Sequence, residues 1–141
     1  MDGAQGVKIG GPFDIGGPGG WWILDEPEIH LDSHILVPDL AGWKRERMPQ
    51  IPDEAFFTLI PDWVCEVLSP STRRLDKSKK MPLYAQQGLR YLWLVDPVDK
   101  TLEVYENQSG KWFLHHVYSD NDVAQAAPFD SLKIDLSELW S

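Results

Sequence analysis

Cysteine occurs once in the 141 residues, at position 65. That excludes an intramolecular disulfide and any zinc site built on several thiolates, and it fits a reducing compartment, with Cys65 in a structural role. Long apolar runs are missing too. Nothing approaches the roughly 18 residues needed to span a bilayer, and the opening MDGAQGVKIGGPFDIGG lacks the basic-then-apolar order of a secretory signal. A soluble, cytoplasmic protein with no membrane partner is the expectation. Positive charge is scarce: 13 Lys and Arg stand against 22 Asp and Glu, for a formal net charge of -9. Taken alone, that balance argues against non-specific binding to nucleic acid, whose phosphates need Lys and Arg on one face. No serine sits in a strand-turn-helix glycine elbow, and no G-K-[ST] follows the early glycines, so neither serine nucleophile nor phosphate loop is supported.

What is present suits one ordinary domain, with 43% hydrophobic residues. Eight of the 11 glycines fall within residues 1–20, too many for a regular element, so 1–20 reads as a flexible Gly-rich segment and 21–141 as a single domain. From Trp21 onward, WWIL, EIHL and HILV are short β-rich runs separated by turn residues. KRERMPQIPDEAFFTLIP reads as a surface connection with one helical turn around Asp53 to Phe57. DWVCEVLS is apolar and of strand length, the signature of a central strand. LDKSKKMPLYAQQG has helical spacing with Gly88 as its stop, but Pro82 demands either a late start with Ser78 as N-cap or a kink. LRYLWLVDP is a second buried strand, TLEVYENQSGKWFLHHVYS a hairpin turning at Asn107 to Gly110, and the tail a short strand with one helical turn. Strands before and after a helix predict an α/β domain with a mixed sheet flanked by few helices.

The central strand contains a carboxylate. Alternation puts Val64, Glu66 and Leu68 on one face and Trp63, Cys65 and Val67 on the other. A carboxylate buried alone costs several kcal/mol or stays protonated, so Glu66 needs a cation, a donor or a metal, and a simple ion pair is as good a reading as a site. Asp39, in HILVPDLAGW, is a second acid at the end of a strand-like run, or merely the residue after a proline in a turn. If the two strands are neighbours, Asp39 and Glu66 can both offer oxygens to a hard cation such as Mg²⁺ or Mn²⁺. Such a metal polarises a phosphate oxygen and activates water near neutral pH, and Lys80, one helix further on, would meet charge developing on phosphorus oxygens. Five basic residues, Arg73, Arg74, Lys77, Lys79 and Lys80, follow the strand closely, a candidate phosphate-contacting face or an ordinary solvated helix start. His30 and His34 have helical ligand spacing but fall in strand-like sequence, and His115 and His116 should point to opposite faces of a strand, so zinc is not indicated. Trp63, Trp93 and Trp112 fit packing positions.

ILVPDLAGW, PDWVCEVLSPSTRRLDKSKKMPLYAQQG and YLWLVDPVDKTLEVY, taken together, resemble the Uma family of restriction endonucleases, within the PD-(D/E)XK nuclease superfamily. The resemblance covers Trp21 to the C-terminus. It implies a restriction-endonuclease-like α/β core, a Mg²⁺- or Mn²⁺-dependent DNA endonuclease, and Asp39 and Glu66 as metal ligands. The superfamily lysine would stand two residues after Glu66, where this chain has Leu68, and Lys80 on the following helix is the matching position, with Tyr84 one turn on. Glu28 is a weaker third acid, better read as an exposed turn carboxylate. Arg73, Arg74 and Lys77 are candidate phosphate contacts. Family members carry an N-terminal helical region, so the chain reads as truncated, leaving one sheet face uncovered unless a homo-oligomer covers it. The rival to a nuclease is a catalytically inactive module that keeps the fold; a small-molecule metallohydrolase is a third class.

Overall fold

A computed structural model describes residues 19–140. Apart from Gly19 and Gly20, the Gly-rich segment lies outside the described residues.

The strands form where apolar and β-branched residues alternate or run together. β1 (Trp21–Asp25) and a small hairpin, β2 (Ile29–Leu31) with β3 (His34–Leu36), are followed by β4 (Leu40–Lys44), β5 (Trp63–Val67), β6 (Tyr91–Asp96), β7 (Thr101–Gln108) and β8 (Lys111–Ser119). Six of them make one mixed sheet in the order β1-β4-β5-β6-β7-β8. Among the described strands of this sheet, only β5 and β6 run parallel, and parallel neighbours need a crossover. That crossover is a helical run in three parts: α1 (Arg73–Leu75), a π-helical turn (Asp76–Lys80) and α2 (Met81–Gln86). Near the C-terminus, β9 (Val123–Ala124) pairs with β10 (Ile134–Asp135), and a 3₁₀ turn follows at Leu136–Glu138.

Strand alternation divides the core into two. Val64, Leu68, Leu92 and Leu94 face one way, packed with Tyr84 and Leu89 around the crossover and with Ile29, Leu31 and Leu36 of the small hairpin. Trp63, Cys65, Val67, Trp93 and Val95 face the other way, against Ala124, Phe129, Ile134, Leu136 and Leu139. On this second face the cover is the C-terminal segment of the chain itself. Cys65 is fully buried there, in keeping with a structural thiol.

Several local expectations change. The strand in the main sheet begins after Asp39 rather than ending before it: HIL belongs to the small hairpin, and LAGWK is β4. Gly42 in that strand is a packing requirement, because a Cβ there would lie 2.7 Å from Ile23 Cδ1 and 3.1 and 3.2 Å from the rings of Trp21 and Trp63. No helical turn forms at Asp53 to Phe57. The backbone of Phe57 instead bonds to both sides of Ile29, accepting from the His30 N–H and donating to the Glu28 carbonyl. The helical run starts at Arg73, not at Ser78, whose hydroxyl donates to the Arg74 carbonyl at 2.6 Å. The irregularity that Pro82 signals is met by a widened π-helical turn just before α2, which puts the proline in the first turn of α2, where its missing N–H is tolerated. A β-bulge in β8 opposite Val104 and Tyr105 breaks the alternation at His115 and His116, so both imidazoles line one cavity with Tyr118 and Asp130.

Phe129 holds the C-terminal cover in place, its ring 4.8, 5.0 and 5.8 Å from those of Trp21, Trp63 and Trp93. Phe129→Ala should cost about 3–5 kcal/mol in urea denaturation, the usual loss for a large buried aromatic. A loss under about 1 kcal/mol would mean that the segment does not seal this face.

Candidate active site

The site is made where β4 meets β5. Their antiparallel register sets Leu40 opposite Cys65, so the next pair along is Asp39 opposite Glu66. Asp39 stands just before the strand, and its Oδ2 accepts the Val67 N–H at 2.7 Å, tying it to the end of β5. Glu66 is 3% exposed; its Oε2 accepts the Tyr84 hydroxyl at 2.9 Å and lies 3.8 Å from Lys80 Nζ. Tyr84 and Lys80 come from the crossover, one helical turn apart, which is how a lysine from another element reaches a carboxylate on β5. Asp39, Glu66 and Lys80 line one pocket of about 180 Å³ together with Val37, Val67, Ser69, Thr72 and Asp76.

The remaining candidates fall elsewhere. Glu28 does not line this pocket; its carboxylate pairs with His30 at 2.6 Å. Arg73 pairs with the buried Asp96 and lies 3.7 Å from Asp99, and Lys77 reaches Glu103 at 3.5 Å. Arg74 is exposed. Two kinds of residue escaped the reading of the sequence. Asp76, 4% exposed, pairs with Lys80 at 3.1 Å, and its spacing of four from that lysine was the available signal. Ser69 and Thr72, at the pocket wall, bond through their hydroxyls at 2.9 Å, and nothing in their spacing sets them apart from an ordinary helix start.

Electrostatics follow from three carboxylates sharing one ammonium. Burial pushes the Glu66 carboxyl up to about 7; Lys80 and the Tyr84 hydrogen bond oppose this, and Asp39 and Asp76 add to it. Burial also raises Asp39, with the Val67 N–H and Lys80 pulling the other way. Burial alone would lower Lys80, yet Glu66, Asp76 and Asp39 outweigh it and hold the ammonium above its ordinary value. Among the described residues, Oδ1 of Asp39 and Oε1 of Glu66 have no side-chain hydrogen bond, so each carboxylate keeps an oxygen to offer. No cluster of three or more His, Cys, Asp or Glu able to hold a metal occurs among the described residues. Two carboxylates beside a polar pocket suit a cation that retains several waters, as Mg²⁺ does, and not a closed zinc cage.

The six-stranded mixed sheet with its helical crossover is a restriction-endonuclease-like fold, and the comparisons agree on the fold. The crystal structure of "a putative nuclease belonging to DUF820" from Anabaena variabilis ATCC 29413 matches with a TM-score of 0.68 over 86% of this chain and 68% of that one, at 24% identity. At that identity the likeness is one of fold. The family model described as "Uma2: Putative restriction endonuclease" matches residues 16–137, and the chain belongs to that family. Comparison with curated proteins gave no match. No helix among the described residues is long and apolar enough to cross a membrane.

Between the ordinary carboxyl value of 4.5 and about 7, folded Glu66 keeps a proton that the unfolded chain has released. Stability of the metal-free protein should therefore fall as pH rises through that window, by on the order of 1–3 kcal/mol from Glu66. Glu66→Gln, which can still accept from Tyr84, should flatten this slope and be the more stable form at pH 8. Parallel urea-stability profiles for the two proteins between pH 4.5 and 8 would contradict the burial cost assigned to Glu66.

Proposed function

We propose that this chain is a Mg²⁺- or Mn²⁺-dependent endonuclease that hydrolyses DNA phosphodiester bonds. The observation that carries the reading is the convergence of Asp39, Glu66 and Lys80 on one pocket, from the residue just before β4, from β5 and from the crossover. Family membership supports the same class of activity. Asp39 and Glu66 are the residues to hold the metal. When bound, a divalent cation supplies Lewis acidity toward a phosphate oxygen and makes water a better nucleophile near neutral pH.

The chain's own groups do the rest. The Val67 N–H and the Tyr84 hydroxyl each hold one oxygen of Asp39 and Glu66, so both carboxylates are oriented before any cation arrives. Glu66 must give up its proton for this role, and its raised pKa makes loading weaker below about pH 7. Lys80 brings a fixed positive charge to the pocket, where the phosphoryl oxygens would gain negative charge in the transition state. Approach of DNA to a chain of net charge -9 depends on the basic run after β5. Within it, Arg74 is exposed, whereas Arg73 and Lys77 would have to exchange Asp96 and Glu103 for phosphate.

Those two ion pairs are the observation that favours the alternative, a non-catalytic module with the same fold, because they neutralise part of the basic face. A calorimetric Mn²⁺ titration with a plasmid-cleavage assay separates the two. Wild-type protein should bind Mn²⁺ and cleave. Glu66→Gln should do neither while staying folded, and Lys80→Ala should keep metal binding but lose roughly 10²–10³ in kcat. A folded wild type that binds no divalent cation would favour the non-catalytic module, and cleavage surviving Glu66→Gln would overturn the site assignment.

A further inference from the structure

Asp76 is the third acid of the pocket, and nothing above gives it a task. It lies at the start of the π-helical turn, 4% exposed, on the wall shared by Asp39, Glu66 and Lys80. Stability does not explain a carboxylate there. Burying one is costly, and an apolar residue of similar volume often packs as well or better.

What Asp76 does provide is an anchor for Lys80. Lysine ends a flexible four-carbon stem and surrenders considerable rotamer freedom when held in one place. Its Nζ is 3.1 Å from Asp76 Oδ1 and 3.8 Å from Glu66 Oε2, so Asp76 is the nearer of its two anchors. The backbone is shaped for this pairing. The Met81 N–H bonds to the Asp76 carbonyl across five residues, and this widened turn, ahead of Pro82, carries both members of the pair facing the pocket. Single π turns inside helices recur at functional sites for this kind of re-aiming. Glu66, by contrast, is already engaged by Tyr84 and assigned to the metal.

We infer that Asp76 is the positioning residue of this site: through its ion pair across the π-helical turn it holds the Lys80 ammonium in the pocket beside Glu66, without itself touching substrate or metal. The role of Lys80 toward phosphate rests on the nuclease reading; the anchoring of Lys80 by Asp76 does not.

The test compares wild type with Asp76→Asn, Asp76→Glu, Lys80→Ala and the double variant Asp76→Asn/Lys80→Ala. Steady-state DNA cleavage with Mg²⁺ is one readout, and ¹³C relaxation at Lys80 Cε in the metal-free protein is the other. Asp76→Asn should lower kcat roughly 10- to 100-fold, the scale of a misplaced catalytic group, with KM for DNA unchanged within about threefold. Asp76→Glu should retain more of kcat than Asp76→Asn. In the Lys80→Ala background, Asp76→Asn should cost nothing further, since residues that act as a unit are not additive. The order parameter of Lys80 Cε should drop in Asp76→Asn while that of Lys79 stays the same. Asp76→Ser removes the charge with less bulk and replaces Asp76→Asn if that variant does not fold. An unchanged kcat, an equal loss in the Lys80→Ala background or an unchanged Lys80 order parameter overturns the inference. A folded wild type that cleaves no DNA overturns the nuclease reading instead, and the relaxation comparison then decides the anchoring by itself.

Discussion

Everything at the candidate site depends on the register between β4 and β5. With Leu40 opposite Cys65, Asp39 falls opposite Glu66, and the Val67 N–H closes onto the Asp39 carboxylate. A slip of one residue would turn Glu66 and its neighbours to the other face, exchanging Val64 and Leu68 for Trp63, Cys65 and Val67 in the wrong half of the core. The register is therefore held from both sides by apolar packing, and the two acids are brought together as its consequence. The parallel pairing of β5 with β6 completes the arrangement, because the chain must cross over from the end of β5. That crossover starts beside Glu66 and carries Asp76, Lys80 and Tyr84.

The pocket is expensive to fold. Glu66 and Asp76 are buried acids, and burial resists the ionised form of Glu66 until about pH 7. A protein selected only for stability would fill these positions with apolar side chains, which suit the surrounding core of Val64, Leu68, Leu92 and Leu94. Tyr84 and Lys80 offset part of the cost by giving each acid a donor or a cation. The C-terminal segment contributes from the opposite side of the sheet, where Phe129 packs on three tryptophans beneath β5.

Much of this was legible in the order of residues. The buried strands β5 and β6, the hairpin of β7 and β8, the facing of Glu66 away from Cys65 and the Uma resemblance all follow from local pattern and motif. β4 was not legible, because Ala41 and Gly42 are poor strand formers and Gly42 is there to make room for Trp21, Ile23 and Trp63, a tertiary demand. The π turn was hidden for a similar reason: Pro82 signals an irregularity, but only the three-dimensional fit decides whether the chain starts late, kinks or widens. The cover given by Ala124 to Leu139 has no periodicity to read, since its burial comes from single residues set against a sheet. At the site, Asp39, Glu66 and Lys80 converge in one pocket, while Asp76 carried no role of its own in the sequence, because its burial beside them is a product of the fold.

The central claim is that Asp39 and Glu66 form one cation site served by Lys80. Anomalous diffraction from crystals equilibrated with Mn²⁺ tests it most directly. An anomalous peak should appear at the Asp39 and Glu66 carboxylates, with the Lys80 ammonium still in the same pocket; a peak confined to other residues, or none at saturating Mn²⁺, would rule the shared site out.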